Sequence, residues 1–143
     1  MLSSIGPAPR AAFRPSTLMA ESAASTVAAM SAAGLKRLLV VSAAVLFPDR
    51  RLRYRFFRWL LRQHARDLIA MEAVVRATEF DWTIARPPRL VKTQDESYRC
   101  EREALPAGAW CMSYRAVAAF LVHSAERGSH AREIVGLADG GRP

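Results

Sequence analysis

Short apolar segments alternate along the chain with longer segments of helical pattern, and this alternation constrains the fold more than any other feature. The clearest short segment is Leu38–Val41, an apolar run typical of a strand buried on both faces. Ser113 is a typical capping residue at a helix start, and Gly34 is a typical residue just past a helix end. The predicted strands are the end of one at Met1–Gly6, then Leu38–Val41, Trp82–Ala85, Tyr98–Arg102 and Glu133–Leu137, and the predicted helices are Thr17–Ala33, Leu52–Thr78 and Ser113–Glu126.

Strands that alternate with helices form a parallel sheet with right-handed helical crossovers, so the predicted fold class is α/β. In such sheets, ligands bind beyond the carboxyl ends of the strands. The residues that follow three of the predicted strands are therefore the candidate binding positions. These positions are Ser4–Gly6, Ser42–Ala44 and Arg86–Arg89.

The start of the long predicted helix is rich in arginine, and one stripe of the helical wheel holds Arg51, Arg55, Arg58, Arg62 and Arg66. The net charge of +8 is in the range of proteins that bind nucleic acid or anionic surfaces. The opposite helix face is apolar and wide enough to cover a sheet, which favours a solvated basic face over a binding helix. We therefore expect no nucleic-acid or membrane partner, and an anionic-polymer binder acting through the Arg51–Arg66 stripe is the weaker alternative.

Two polar residues, His64 and Asp67, interrupt the apolar face of the same predicted helix. A buried ionisable group is costly unless it is paired or solvated. Two arrangements meet this requirement. Either the two side chains satisfy each other one turn apart, or the helix faces a cleft at this point.

Length and cysteine content exclude several classes of protein. The chain has 143 residues, enough for one compact domain, and no uncharged apolar run reaches the roughly 18 residues of a membrane span. Cys100 and Cys111 make neither a disulfide framework nor a four-ligand zinc site, so a reducing, cytoplasmic location is expected. The histidines lack metal-ligand spacing, and no metal site is predicted.

Several segments, in order, resemble a known family. They are Ser16–Ser22, Leu38–Ala43 (LLVVSA), Asp81–Leu90 (DWTIARPPRL) and Met112–Leu121 (MSYRAVAAFL). The sequence is similar in these segments to atypical short-chain dehydrogenase/reductases of the NAD(P)H-binding group, which includes flavin reductase/biliverdin-IXβ reductase and NmrA-like proteins. The similarity runs over roughly residues 1–137.

The resemblance implies that residues 1–137 are the C-terminal part of a Rossmann-like NAD(P)-binding domain, followed by a flexible tail at 138–143. Met1 falls inside the family's fourth strand, so the first three strands and the glycine-rich phosphate loop are absent. A truncated gene, a misplaced start codon and a true half all fit, as does a transit peptide at the N-terminus as the weaker alternative. We expect weak binding of NADP or NAD, and either self-association or docking of a missing N-terminal half.

The resemblance also supplies candidate site residues. Counting back from Glu72, the family's Tyr-x-x-x-Lys-x-x-x-Glu pattern places the lysine at Leu68 and the tyrosine at His64. The candidate catalytic residues are His64 and Ser42, and the candidate cofactor-binding residues are Ser4, Gly6, Ser42, Ala43, Arg86, Pro87 and Pro88.

The expected activity is hydride transfer from NAD(P)H to a flavin-like or other small planar acceptor, which requires alignment more than acid catalysis. A non-catalytic regulatory or interaction module with the cofactor fold is the alternative from a different class. An inactive fragment is a further one.

Overall fold

The computed structural model describes residues 1–3, 17–48 and 62–141. The strands are β1 (Leu2–Ser3), β2 (Arg37–Val41), β3 (Asp81–Arg86), β4 (Arg89–Val91), β5 (Tyr98–Arg102), β6 (Cys111–Ser113) and β7 (Glu133–Asp139). The helices are α1 (Leu18–Ala32), α2 (Arg62–Arg76) and α3 (Tyr114–Arg127), with a 3-10 turn at Ala44–Leu46.

The main sheet has five strands in the order β1-β2-β3-β7-β5. The first four are parallel, and β5 runs antiparallel to β7. The predicted α/β class with a parallel sheet and flanking helices is confirmed. A small parallel pair, β4 with β6, was not predicted as such, because each strand has only three residues.

The core lies on both faces of the sheet, because neighbouring residues of a strand point to opposite sides. Leu38 and Val40 of β2 pack in one cluster with α1 and α2, whereas Leu39 packs in the other cluster with α3. The result is three layers, with two helices on one face of the sheet and one on the other. This arrangement explains why β2 is apolar at every central position.

Two helix ends follow the chemistry predicted from the sequence. Gly34 has a φ of 66°, and beside it the Leu35 amide donates to the Met30 carbonyl while the Gly34 amide donates to the Ser31 carbonyl. These two bonds form the Schellman closure of α1. At the start of α3, the Ser113 side chain accepts from the Ala116 amide at 2.8 Å, as predicted.

The end of the chain differs from the prediction. We predicted a strand ending at Leu137 and a flexible tail at 138–143. The strand β7 instead continues to Asp139, and Ala138 is fully buried. The antiparallel partner β5 explains the extension, because its register pairs Tyr98 with Asp139 and Arg99 with Ala138.

Some predictions lie outside the described residues. The described part of the long helix begins at Arg62, so Arg51, Arg55 and Arg58 of the basic stripe cannot be placed, whereas Arg66 is exposed. Ser4 and Gly6 also lie outside. Within the described ranges, no helix is long and apolar enough to cross a membrane.

Candidate functional site at the carboxyl ends of β2 and β3

The segments that leave β2 and β3 are fastened to each other by backbone hydrogen bonds. The Ser42 amide donates to the Ala85 carbonyl at 2.7 Å, and the Ala44 amide donates to the Pro87 carbonyl at 2.9 Å. These bonds continue the pairing past the strand ends. We call the surface formed by Ser42, Ala43, Arg86, Pro87 and Pro88 the β2–β3 edge, and these bonds hold its two backbone segments to each other.

Two side chains of this edge, Ser42 and Arg86, belong to a buried hydrogen-bonded cluster with Glu72. The Ser42 hydroxyl donates to Oε1 of Glu72 at 2.6 Å. The Arg86 guanidinium donates to the same carboxylate twice, from Nε to Oε1 at 2.9 Å and from Nη2 to Oε2 at 2.6 Å. The side chains of Arg86 and Glu72 are only 12% and 5% exposed, so the ion pair is shielded from solvent. Bidentate geometry of this kind is the strongest form of an arginine–carboxylate contact.

The guanidinium of Arg86 also lies over the ring of Phe47, with 4.8 Å between Cζ and the ring centroid. This cation–π contact holds the group from a second direction. Arg86 is therefore part of the cluster, and Glu72 neutralises most of its charge. A cofactor can therefore contact only the part of the guanidinium that Glu72 and Phe47 leave uncovered.

The remaining predicted residues of the edge form an apolar ledge. Pro87 is buried, whereas Ala43 and Pro88 are half-buried. The prolines carry no amide proton, and the Pro87 carbonyl is occupied by Ala44. The ledge therefore offers flat apolar surface, with Ser42 as its polar group.

The helix α2 carries the other predicted catalytic residue. His64, Leu68 and Glu72 follow one another at one-turn spacing, so they share one helix face. Leu68 is 2% exposed and belongs to the core. His64 lies two turns before Glu72, roughly 12 Å along the helix axis at the usual rise per residue. The structure thus joins Ser42 to Glu72 and places His64 farther along the same helix.

His64 is half-buried, and burial lowers the pKa of its imidazole, while the nearby Asp67 charge acts in the opposite direction. The neutral form is therefore favoured at neutral pH. A neutral imidazole is a poorer proton donor than the imidazolium that acid catalysis would use.

Asp67 does not serve as a hydrogen-bond partner of His64 but caps another helix. Its two carboxylate oxygens accept from the Met19 and Ala20 amides at 3.1 Å each. Thr17, the capping residue of α1, makes no capping bond of its own. A carboxylate at a helix N-terminus satisfies free amides and opposes the positive end of the dipole. Of the two arrangements predicted for His64 and Asp67, mutual satisfaction is therefore wrong.

The pairing of Glu72 with Arg86 was not predicted from the sequence, where Glu72 marks only the end of the family's Tyr-x-x-x-Lys-x-x-x-Glu pattern. A signal was available. Glu72 stands on the apolar face of α2, and Arg86 ends a strand that is otherwise buried. Two opposite charges in apolar surroundings are expected to pair, because an unpaired buried charge is costly.

The described residues contain neither a phosphate loop nor a metal centre. Their glycines stand after α1, in a loop, after α3, within β7 and after β7, and none lies at a turn from a parallel strand into a helix. No group of three or more His, Cys, Asp or Glu side chains in the described ranges could hold a metal ion.

Comparison with known proteins identifies a family for most of the chain. The model of the NAD(P)H-binding family matches residues 3–127. No curated protein matches the chain in sequence.

Solved structures share the fold. A wide-type short-chain dehydrogenase/reductase from Veillonella parvula, in complex with NADP, is 24% identical with a TM-score of 0.71, over 89% of this chain and 61% of that one. The anaerobillin reductase ChuY from Escherichia coli O157:H7 is 15% identical with a TM-score of 0.69, over 99% and 64%. A candidate NADH-flavin reductase from Streptococcus pneumoniae is 20% identical with a TM-score of 0.61, over 96% and 70%.

This chain therefore spans less than two thirds of the length of the first two structures. The residues that match the family model cover most of the chain, and the solved structures share its α/β fold. The chain belongs to the NAD(P)H-binding family.

Proposed function

We propose that this chain supplies the nicotinamide side of an NAD(P)H-dependent reductase that passes hydride to a flavin-like or other small planar acceptor. One observation carries the proposal. The carboxyl ends of β2 and β3, where ligands bind in such sheets, are joined by backbone bonds and by the buried Ser42–Glu72–Arg86 cluster.

The β2–β3 edge fits the nicotinamide end of a dinucleotide. Ala43 and Pro88 offer half-buried apolar surface for a flat ring, and Ser42 offers a fixed polar group beside it. The described residues do not fit the pyrophosphate end, which needs backbone amides in a glycine-rich turn. We therefore propose that another segment, of this polypeptide or of a partner, completes the site.

The side chains support hydride transfer more than acid–base chemistry. When bound, the cofactor supplies a hydride, and the protein has to align donor and acceptor. Leu68 stands where the family pattern has a lysine, so no ammonium polarises the site from that position. Burial lowers the pKa of His64, which disfavours the protonated form. A flavin-like acceptor fits these limits because it needs less acid assistance than a carbonyl.

A second candidate function is supported by the same Leu68. A core leucine at the lysine position fits a module that binds a dinucleotide without turning it over and reports cofactor state to a partner. Turnover separates the two functions, because the module would bind NADPH and leave it unoxidised in the presence of any acceptor.

The test is a pair of measurements on the full chain. NADPH and NADH binding is followed by ligand-observed NMR, which detects dissociation constants as weak as about 1 mM. Oxidation of NADPH is then followed with riboflavin or FMN as acceptor. We expect saturable binding and acceptor-dependent oxidation, both reduced in Ser42→Ala.

The matched control for these measurements is Ser124→Ala. Ser124 is another buried serine, but its carbonyl binds Arg37 at the opposite, amino end of β2. Ser124→Ala should change neither the binding of the dinucleotides nor the oxidation of NADPH. Absence of binding by both dinucleotides would refute the proposed function, and binding without oxidation would favour the non-catalytic module.

A further inference from the structure

The hydrogen bonds of Glu72 fix the direction of the proton on Ser42. Oε1 of Glu72 receives the Ser42 hydroxyl and Nε of Arg86, while Oε2 receives Nη2. Arginine remains protonated in proteins and only donates. Both oxygens of the Glu72 carboxylate accept from this guanidinium. The single proton of the Ser42 hydroxyl therefore points at Glu72.

We propose that Ser42 presents only its oxygen lone pairs to the ligand and so selects a group that carries an N–H or O–H donor. Glu72 and Arg86 are then positioning residues, which hold the hydroxyl in this orientation. This inference rests on the proposed function, because it concerns the same edge. It assigns Ser42 a binding role as hydrogen-bond acceptor and not a role as proton donor.

The environment makes this orientation stable. Ser42 is 7% exposed, and its backbone is tied to Ala85. Arg86 is held by Glu72 on one side and by the Phe47 ring on the other. If Ser42 turned its proton toward a ligand, Glu72 would lose one of its buried donors, which costs more than the same change in water.

The chemistry of the ligand group follows from this orientation. A primary carboxamide beside an aromatic ring offers an N–H donor that a lone pair can receive, and nicotinamide carries such a group. A planar acceptor with a ring N–H, such as a flavin, offers the same donor. A methyl ketone in place of the carboxamide offers only an acceptor oxygen, which the lone pairs of Ser42 would repel. A ring whose N–H is methylated has no hydrogen to donate at that position.

The experiment compares matched ligands on the full chain by ligand-observed NMR titration. The first pair is NADPH and its reduced 3-acetylpyridine analogue, in which a methyl ketone replaces the carboxamide. The second pair is lumiflavin and its N3-methyl derivative. We expect the wild-type chain to bind the donor-bearing member of one pair about tenfold more tightly, the size of one hydrogen bond in a buried site. The pair that shows the difference identifies the source of the donor.

Variants test whether Ser42 and its positioning residues cause the difference. Ser42→Ala should bind both members of the pair equally, with the loss falling on the donor-bearing ligand alone. Glu72→Gln frees the hydroxyl to turn, because an amide both donates and accepts, so the preference should shrink to about threefold or less. Ser124→Ala should keep the full preference.

The outcomes separate this inference from the proposed function. A preference that survives in Ser42→Ala, or wild-type binding without preference in either pair, overturns the assignment of Ser42 and leaves the proposed function standing. Failure of the wild-type chain to bind any dinucleotide or flavin overturns both. If Glu72→Gln does not fold, Ser42→Ala alone decides the question, since it removes one oxygen atom and no charge.

Discussion

Two regions of the main sheet, the β2–β3 edge and the outer strand β1, differ in how many contacts hold them. The β2–β3 edge is closed by backbone bonds between its two segments and by the buried Ser42–Glu72–Arg86 cluster. The β1 edge, formed by Leu2–Ser3, is a two-residue strand whose Leu2 is 47% exposed. Among the described strands, β1 pairs only with β2. The comparison shows that the proposed ligand edge is held by contacts among the described residues, whereas β1 has a described strand on one side alone.

The largest effect is expected from breaking the ion pair of the closed edge. Glu72→Ala leaves the Arg86 guanidinium buried without its carboxylate, and we expect a loss of about 3–5 kcal/mol of unfolding free energy. Urea denaturation measures it. The double variant Glu72→Met with Arg86→Met should recover much of the loss, because it removes both charges.

The matched control for this prediction is an exposed ion pair. Arg115 and Glu96 lie 3.1 Å apart with side chains more than half exposed. Solvent screens such pairs, so Glu96→Ala should cost less than about 1 kcal/mol. Equal losses for Glu72→Ala and Glu96→Ala would mean that the cluster does not make the β2–β3 edge rigid.

A smaller loss of unfolding free energy is expected when the N-terminal cap of α1 is removed. Asp67→Ala removes the carboxylate that accepts the Met19 and Ala20 amides, so α1 loses its N-terminal cap. We expect a cost of about 1–2 kcal/mol by urea denaturation. Thr17→Ala is the control, because Thr17 is exposed and makes no capping bond. If Thr17→Ala cost more than Asp67→Ala, the cap would lie in Thr17 itself.

The open edge predicts association. Among the described residues, no strand lies on the other side of β1, and an open strand edge beside an apolar residue favours edge-to-edge pairing. We therefore propose that the chain self-associates through β1 or docks a strand of another segment there. Leu2→Lys should weaken self-association about tenfold, as measured by size-exclusion chromatography with light scattering. Val122→Lys is the control, since Val122 is a comparably exposed apolar residue on α3. A wild-type chain that stays monomeric at high concentration would contradict self-association.

The smallest effect concerns the pH dependence of stability. Burial lowers the pKa of His64 below its unfolded value near 6.5, so the folded state resists the proton. Above that value, both states are neutral and the penalty is absent. As the pH falls through about 6.5 toward the lowered pKa, the unfolded state takes up a proton first and stability falls. His64→Gln should therefore show a flatter melting temperature between about pH 7 and 5, and an unchanged slope would contradict the burial of His64.

The sequence predicted the fold to the extent that apolar patterning controls it. Leu38–Val41 forms a strand because consecutive apolar residues are needed where both faces of a sheet are covered. Trp82–Ala85 follows the same pattern except at Thr83, whose buried hydroxyl donates to the His130 carbonyl. Gly34 and Ser113 end and begin helices because of local backbone chemistry. The strands β4 and β6 could not be assigned, since three residues carry no periodicity and depend on tertiary pairing.

The candidate site was predicted only at the level of its place in the fold. The rule that ligands bind at the carboxyl ends of parallel strands led to Ser42 and Arg86, but it does not say which groups point at each other. The pairing of Arg86 with Glu72 depends on how α2 crosses the sheet, and the capping of α1 by Asp67 depends on how two helices pack. Both are long-range contacts. The charges of Glu72 and Arg86 in apolar stretches indicate that each needs a partner, but no local pattern identifies that partner.

The most direct test of the contrast between the two edges is a comparison of NADPH with reduced nicotinamide mononucleotide as ligands of the full chain. The β2–β3 edge, as proposed, should bind the nicotinamide end of both ligands. Because the described residues contain no glycine-rich phosphate turn, the adenylate half of NADPH should add little affinity. The account predicts weak dissociation constants, on the order of 1 mM, that differ by less than about threefold between the two ligands. A low-micromolar constant for NADPH, with the mononucleotide about a hundredfold weaker, would show that the chain already holds a working phosphate site and would contradict the account.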